Sequence, residues 1–238
     1  MLRRTFLPAL VLATLTLLAA VSPAAETRGK IRLLMVYNGG HDFKGFKAAM
    51  DPVVAKTGDF DAAVAENFDA LKAENLQKFD LVLFYGSGGD LKDPAQEKGL
   101  EDFVKAGGGM AGVHATDAHK KSDVYWRLIG GRFTTHGGGK FRIAVLDKKH
   151  PVMATVEDFE IQDETYRNQY HAEAKLHWLG RIDRGDEKEP MIWTQEIGKG
   201  RMFSTTLGHG REAFANPAFQ RLVVRGLYWA AGREPRNP

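Results

Sequence analysis

The sequence predicts an α/β fold: a doubly wound, mostly parallel sheet followed by a β-rich C-terminal half. Three observations predict it. Residues 30–37 (KIRLLMVY), 79–85 (FDLVLFY) and 110–113 (MAGV) are short apolar runs, which suit strands covered on both faces. Helix-patterned stretches lie between them, and this alternation places helices on both sides of a sheet. After residue 140 the helical signal fades, and strand-like segments follow one another until the final helix.

Taken in order, the chain opens with an export signal, residues 1–24. Arg3 and Arg4 form its positive region, and residues 6–20 are apolar but short for a membrane span. Ser22-Pro23-Ala24 offers the small residues that a signal peptidase reads, so cleavage is placed after Ala24. Arg3-Arg4-Thr5-Phe6-Leu7 fits a Sec or a twin-arginine signal. The mature chain is expected to be periplasmic or extracellular. Residues 25–238 suit one domain, with its core at about 30–233.

The strand at 30–37 leads through Asn38-Gly39-Gly40-His41-Asp42 into a helix at 43–56, which Pro52 kinks or splits. A strand is expected at 60–66 and a short helix at 69–77, with Asp69 as its N-cap. The strand at 79–85 ends in Gly86-Ser87-Gly88-Gly89. The helix at 94–106 has Pro94 in its first turn and Gly107 just past its end. Next comes Gly107-Gly108-Gly109-Met110-Ala111-Gly112-Val113-His114-Ala115-Thr116-Asp117. This is the strand–turn–helix layout of a nucleophile elbow, which lifts one side chain at the carboxyl edge of a sheet. Here that side chain is an imidazole, which suits a metal ligand or a proton carrier. Ser122 caps a helix reaching 129, and residues 130–139 read as a glycine-rich loop. Strands follow at 141–146, 159–166, 176–182, 191–196 and 201–206. Gly198-Lys199-Gly200 is the hairpin turn between the last two. Asn216 then caps a helix at 217–231.

Composition excludes several classes. Of the 33 basic residues, Arg3 and Arg4 leave with the signal, so the mature chain has 31 against 30 acidic ones, with no cationic excess for nucleic acid. No second apolar stretch is long enough to span a membrane. Cysteine is absent, which removes thiol nucleophiles and thiolate metal sites. No G-x-G-x-x-G follows the first strand, so no nucleotide cofactor is expected. Gly86-Ser87-Gly88-Gly89 lacks the lysine of a phosphate-binding loop.

Five motifs together resemble the trehalose-utilisation (ThuA-like) family. They are Asn38-Gly39-Gly40-His41-Asp42-Phe43, Gly112-Val113-His114-Ala115-Thr116, Gly130-Gly131-Arg132-Phe133-Thr134-Thr135-His136, Asp163-Glu164 with Tyr166, and Gly200-Arg201-Met202-Phe203 with Leu207-Gly208-His209-Gly210. The similarity runs from about residue 30 to 233. It implies the flavodoxin-like fold of class I glutamine amidotransferases. His114 stands where those enzymes carry their cysteine. His209, with Glu212 close behind, stands where they carry their histidine. It also implies carbohydrate metabolism, with a sugar oxidoreductase as a pathway partner and a small-molecule sugar as substrate.

In a doubly wound sheet, sites form outside the carboxyl ends of the strands. His41, His114 and His209 each follow a predicted strand, so they are the candidate ligands of a divalent transition metal such as zinc. His114 also counts as a catalytic candidate, with Glu164 or Asp163 as the base. Arg132, His136, His171 and Asp117 are the candidate substrate contacts. His119, beside two lysines, reads as solvated. His150 reads as a turn residue, His177 as structural and Trp229 as core. The leading function is metal-assisted hydrolysis or elimination of a glycoside or keto-glycoside. The alternative is a non-catalytic sugar-binding module on the same fold. A serine hydrolase using Ser87 or Ser204 is disfavoured, because neither lies in a G-x-S-x-G elbow.

Overall fold

In the computed structural model the described residues are 29–86, 90–116 and 121–238. The segment expected to be an export signal, Ser87, Asp117 and His119 therefore lie outside them. Nine strands form one sheet: β1 (Ile31–Val36), β2 (Phe60–Ala65), β3 (Leu81–Tyr85), β4 (Gly109–Val113), β5 (Gly131–Val145), β6 (Phe159–Tyr170), β7 (His177–Asp183), β8 (Pro190–Ile197) and β9 (Gly200–Thr205). The helices are α1 (Phe43–Ala55), α2 (Ala73–Leu76), α3 (Pro94–Ala106), α4 (Asp123–Ile129), α5 (Gly210–Phe214) and α6 (Pro217–Ala230).

The strand order is β2-β1-β3-β4-β9-β8-β7-β5-β6. The pairings from β2 to β9 are parallel, and those from β9 to β6 are antiparallel. The expected mostly parallel sheet is thus corrected to a mixed one, because the strands of residues 131–205 are joined without helical crossovers. β3 and β4 are buried along their whole length, as their unbroken apolar runs require. Alternate side chains feed two cores. Leu33, Met35, Leu83 and Ala111 pack with α1 and α6. Leu34, Val36, Val82 and Met110 pack with α3 and α4.

The start signals of α3 and α6 hold, as does Gly107 at the end of α3. Asp93 accepts from Ala95 N–H and forms a capping box with Gln96, and Asn216 accepts from Ala218 and Phe219 N–H. α1 runs through Pro52 and closes three residues later at Ala55. The helix expected at 69–77 is instead a 3-10 turn, Phe68–Leu71, followed by α2. Asn67, not Asp69, caps that turn, and Asp69 pairs with Lys72 and Gln96. α5 carries too short a pattern to be read in advance.

The largest correction concerns residues 130–139. They are not a loop but the first half of β5, paired with β6 as far as Gly131 and Tyr170. Gly137 serves close approach rather than turning. A Cβ on Gly137 would sit 2.9 Å from Thr165 Oγ1 on the facing strand. β6 correspondingly extends to Tyr170, well beyond the expected 166.

Candidate functional site

β1 lies between β2 and β3, so the chain leaves β1 and β3 toward opposite faces of the sheet. A crevice opens at the carboxyl ends of the strands at such a point. His41 stands in the loop after β1. Tyr37 Oη donates to the His41 carbonyl at 3.2 Å, and Asp42 caps α1 by accepting from Gly45 N–H at 2.8 Å. The loop is thereby tied at both ends.

His114 follows β4 directly and is fully buried. Its φ is +54°, a left-handed conformation that is uncommon for any residue but glycine. Its backbone N–H donates to Thr205 O at 2.9 Å, which holds the elbow against β9. Its Nδ1 lies 3.1 Å from Thr206 O. A carbonyl only accepts, so Nδ1 carries the proton and Nε2 presents its lone pair. Burial pulls the His114 pKa down to about 3, which keeps the ring neutral.

His209 follows β9 and approaches from the other side, with Nδ1 3.1 Å from His114 Nε2. Two contacts hold its turn. Gly208 N–H and His209 N–H both donate to the Asp163 carboxylate, at 2.7 and 2.9 Å. Tyr85 Oη donates to Gly208 O at 3.1 Å. Gly208 has φ +119°, and a Cβ there would meet Phe219 at 3.0 Å. Burial pushes the Asp163 carboxyl up to about 7, against the pull of its backbone N–H donors. Asp163 is engaged in positioning this turn, which leaves Glu164 as the open carboxylate.

Ligating atoms of His41, His114 and His209 all lie within 4.8 Å of one another. Metal–nitrogen bonds of about 2.0–2.1 Å in a tetrahedral site imply donors about 3.3 Å apart, so modest ring movements would close this set on an ion. Burial lowers the His41 pKa, and the neighbouring His209 lowers it further. Neutral imidazoles are the form that binds metal.

The carboxylate comes from the other half of the sheet. Glu164 lies on β6 opposite Gly138, where the β5–β6 ribbon crosses the strand ends. Its Oε2 is 3.4 Å from His209 Nδ1 and 3.7 Å from His114 Nε2, and Oε1 is 3.5 Å from His136 Nδ1. Oε2 is buried without a hydrogen bond among the described residues, an orphaned acceptor beside two imidazoles. That supports a bound cation or proton donor here. Tyr166 packs 5.1 Å from the His114 ring, and Phe133 packs 4.7 Å from Tyr166, forming an aromatic wall.

The structure therefore brings together His41, His114, His136, Asp163, Glu164 and His209. It does not bring Arg132 or His171 to them. Arg132 stacks on Trp126 at 3.6 Å and donates to Gln169, and His171 meets Asp123 and Trp126. Both sit farther along the ribbon. Asp117 lies outside the described residues. The sequence reading missed the roles of Tyr85, Phe133 and Thr206 O. Tyr85 looked like one more strand residue, and a backbone carbonyl leaves no mark in sequence.

A family model described as trehalose utilisation (ThuA) matches residues 32–230. No curated protein matches. Among solved structures, a putative ThuA-like protein from Parabacteroides merdae is 20% identical, with a TM-score of 0.75 over 88% of this chain and 93% of that one. One from Bacteroides uniformis is 19% identical, with a TM-score of 0.71 over 88% and 95%. A β-galactosidase from Rahnella sp. R3 is 12% identical, with a TM-score of 0.62. That match covers 83% of this chain and 31% of that one. At such identities these likenesses speak to fold.

Proposed function

Because the chain belongs to the trehalose-utilisation (ThuA) family, we propose that it is an exported, metal-assisted enzyme that hydrolyses or eliminates a glycoside or keto-glycoside. The observation that carries this reading is the convergence of His41, His114 and His209 beside the Glu164 carboxylate. The strand order β2-β1-β3-β4-β9 supports the flavodoxin-like assignment for the parallel half. A sugar oxidoreductase acting earlier would supply a keto-glycoside.

His41, His114 and His209 would hold a divalent transition ion, of which zinc suits an all-imidazole set. Bound there, the ion would supply Lewis-acid stabilisation of a sugar oxygen. The protein residues do the rest. Glu164 takes a proton from the substrate or from an attacking water. His136, 3.5 Å from Glu164 Oε1, steadies that carboxylate from the open side. The Thr206 carbonyl keeps His114 in one tautomer, and Asp163 keeps His209 in place. Tyr166 and Phe133 exclude water from one side.

The test is turnover of glycosides and keto-glycosides by the mature protein and by Glu164→Gln, with binding measured in parallel. Turnover that depends on Glu164 supports the enzyme. Sugar binding without turnover in either protein would leave a binding module instead.

A further inference from the structure

We propose that a second sugar-ring subsite lies beside His41, on the β2 side of the histidine cluster; this rests on the carbohydrate reading above. A cavity of about 430 Å³ opens there, within the ~300–1,000 Å³ range of small-ligand sites. Its wall includes His41 itself, so whatever fills it adjoins a molecule seated on the cluster.

The lining has two characters. One part is apolar. Tyr37 stacks on the buried Phe43 at 4.5 Å with planes 10° apart, so the pair is a rigid platform. Val64, on the edge strand β2, is 41% exposed beside it. Exposed large apolar side chains are rare among the described residues, Leu146 being the other example. The other part is a charged rim. Lys44 has no ion pair among the described residues, and Lys47 pairs with Asp51. Glu66 faces them from the end of β2. Mixed charge favours neither an anion nor a cation. An apolar floor with donors and acceptors around it matches a pyranose ring, which has a C–H face and a rim of hydroxyls. The site thus reads as bipartite, one ring against Tyr166 and Phe133 and the next against Tyr37 and Val64. A two-ring glycoside fills both parts.

The probes are trehalose and methyl α-D-glucopyranoside, titrated calorimetrically into the mature protein. The expected result is at least tenfold tighter binding of trehalose. Val64→Arg, at an exposed edge position, fills the cavity and should bring the two probes to equal affinity, with its melting temperature confirming the fold. Equal affinities in the unsubstituted protein, or an undiminished preference in Val64→Arg, would overturn the subsite while leaving the carbohydrate site standing. Failure of both sugars to bind would overturn both.

Discussion

The two halves of the sheet build the site in different ways. In the parallel half, β1, β4 and β9 each end at the same edge, and each is followed within a few residues by one histidine. In the antiparallel half, Glu164 sits in mid-strand and reaches the cluster only because the β5–β6 ribbon crosses over that edge. The first arrangement is rigid. His114 is anchored to the Thr205 and Thr206 carbonyls, and the turn that carries His209 is held by Asp163. The second depends on how closely two long strands pack at glycines. Division of labour follows: the parallel half is suited to hold an ion, and the ribbon to deliver the group that moves a proton.

The largest effect is expected at the elbow. His114→Ala removes the buried donor, and turnover and metal content should both vanish while the far-ultraviolet circular dichroism persists. Glu164→Gln should sharpen the contrast. It lowers kcat by about 10²–10⁴ and leaves the metal in place, a split that steady-state kinetics and elemental analysis resolve together. A smaller effect is expected from Gly137→Val. Its Cβ, aimed at Thr165 Oγ1, forces the ribbon strands apart. kcat should fall several-fold with metal affinity unchanged, as titration with zinc would report.

The smallest effect lies far from the cluster. Burial lowers the His150 pKa to about 4, the neighbouring His177 adding to the shift. The unfolded chain takes up this proton near pH 6.5 and the folded chain only near 4. Stability linked to His150 is therefore complete above 6.5 and falls as pH drops through that window. His150→Gln should shallow the decline in melting temperature between pH 6.5 and 4.

The parallel half was legible in sequence, because strands buried on both faces must be continuously apolar and leave little ambiguity. Helix ends were legible where Pro94 opens a first turn, where Gly107 follows a last one, and where Asn216 and Ser122 cap through side chains. The ribbon was not. Gly137, Gly138 and Gly139 look like a loop in one dimension, and only the facing strand shows that Gly137 packs closely against Thr165. The three metal-ligand candidates could be singled out because each follows a predicted strand. The division of roles between Asp163 and Glu164 was hidden. They are adjacent in sequence, and alternation along β6 sends one to the Gly208–His209 turn and the other to the histidines. Tyr85 escaped notice for the opposite reason, since its ring suits a buried strand and its hydroxyl bond to Gly208 leaves no mark in sequence.

The most direct test of this division is the metal content of purified mature protein, measured beside Glu164→Gln and His114→Ala, with melting curves before and after chelation. One transition-metal ion per chain is expected in the unsubstituted protein and in Glu164→Gln, none in His114→Ala, and a fall in melting temperature on chelation only where the ion was bound. No ion in any of the three, and no rise in melting temperature with added zinc, manganese or nickel, would contradict the division.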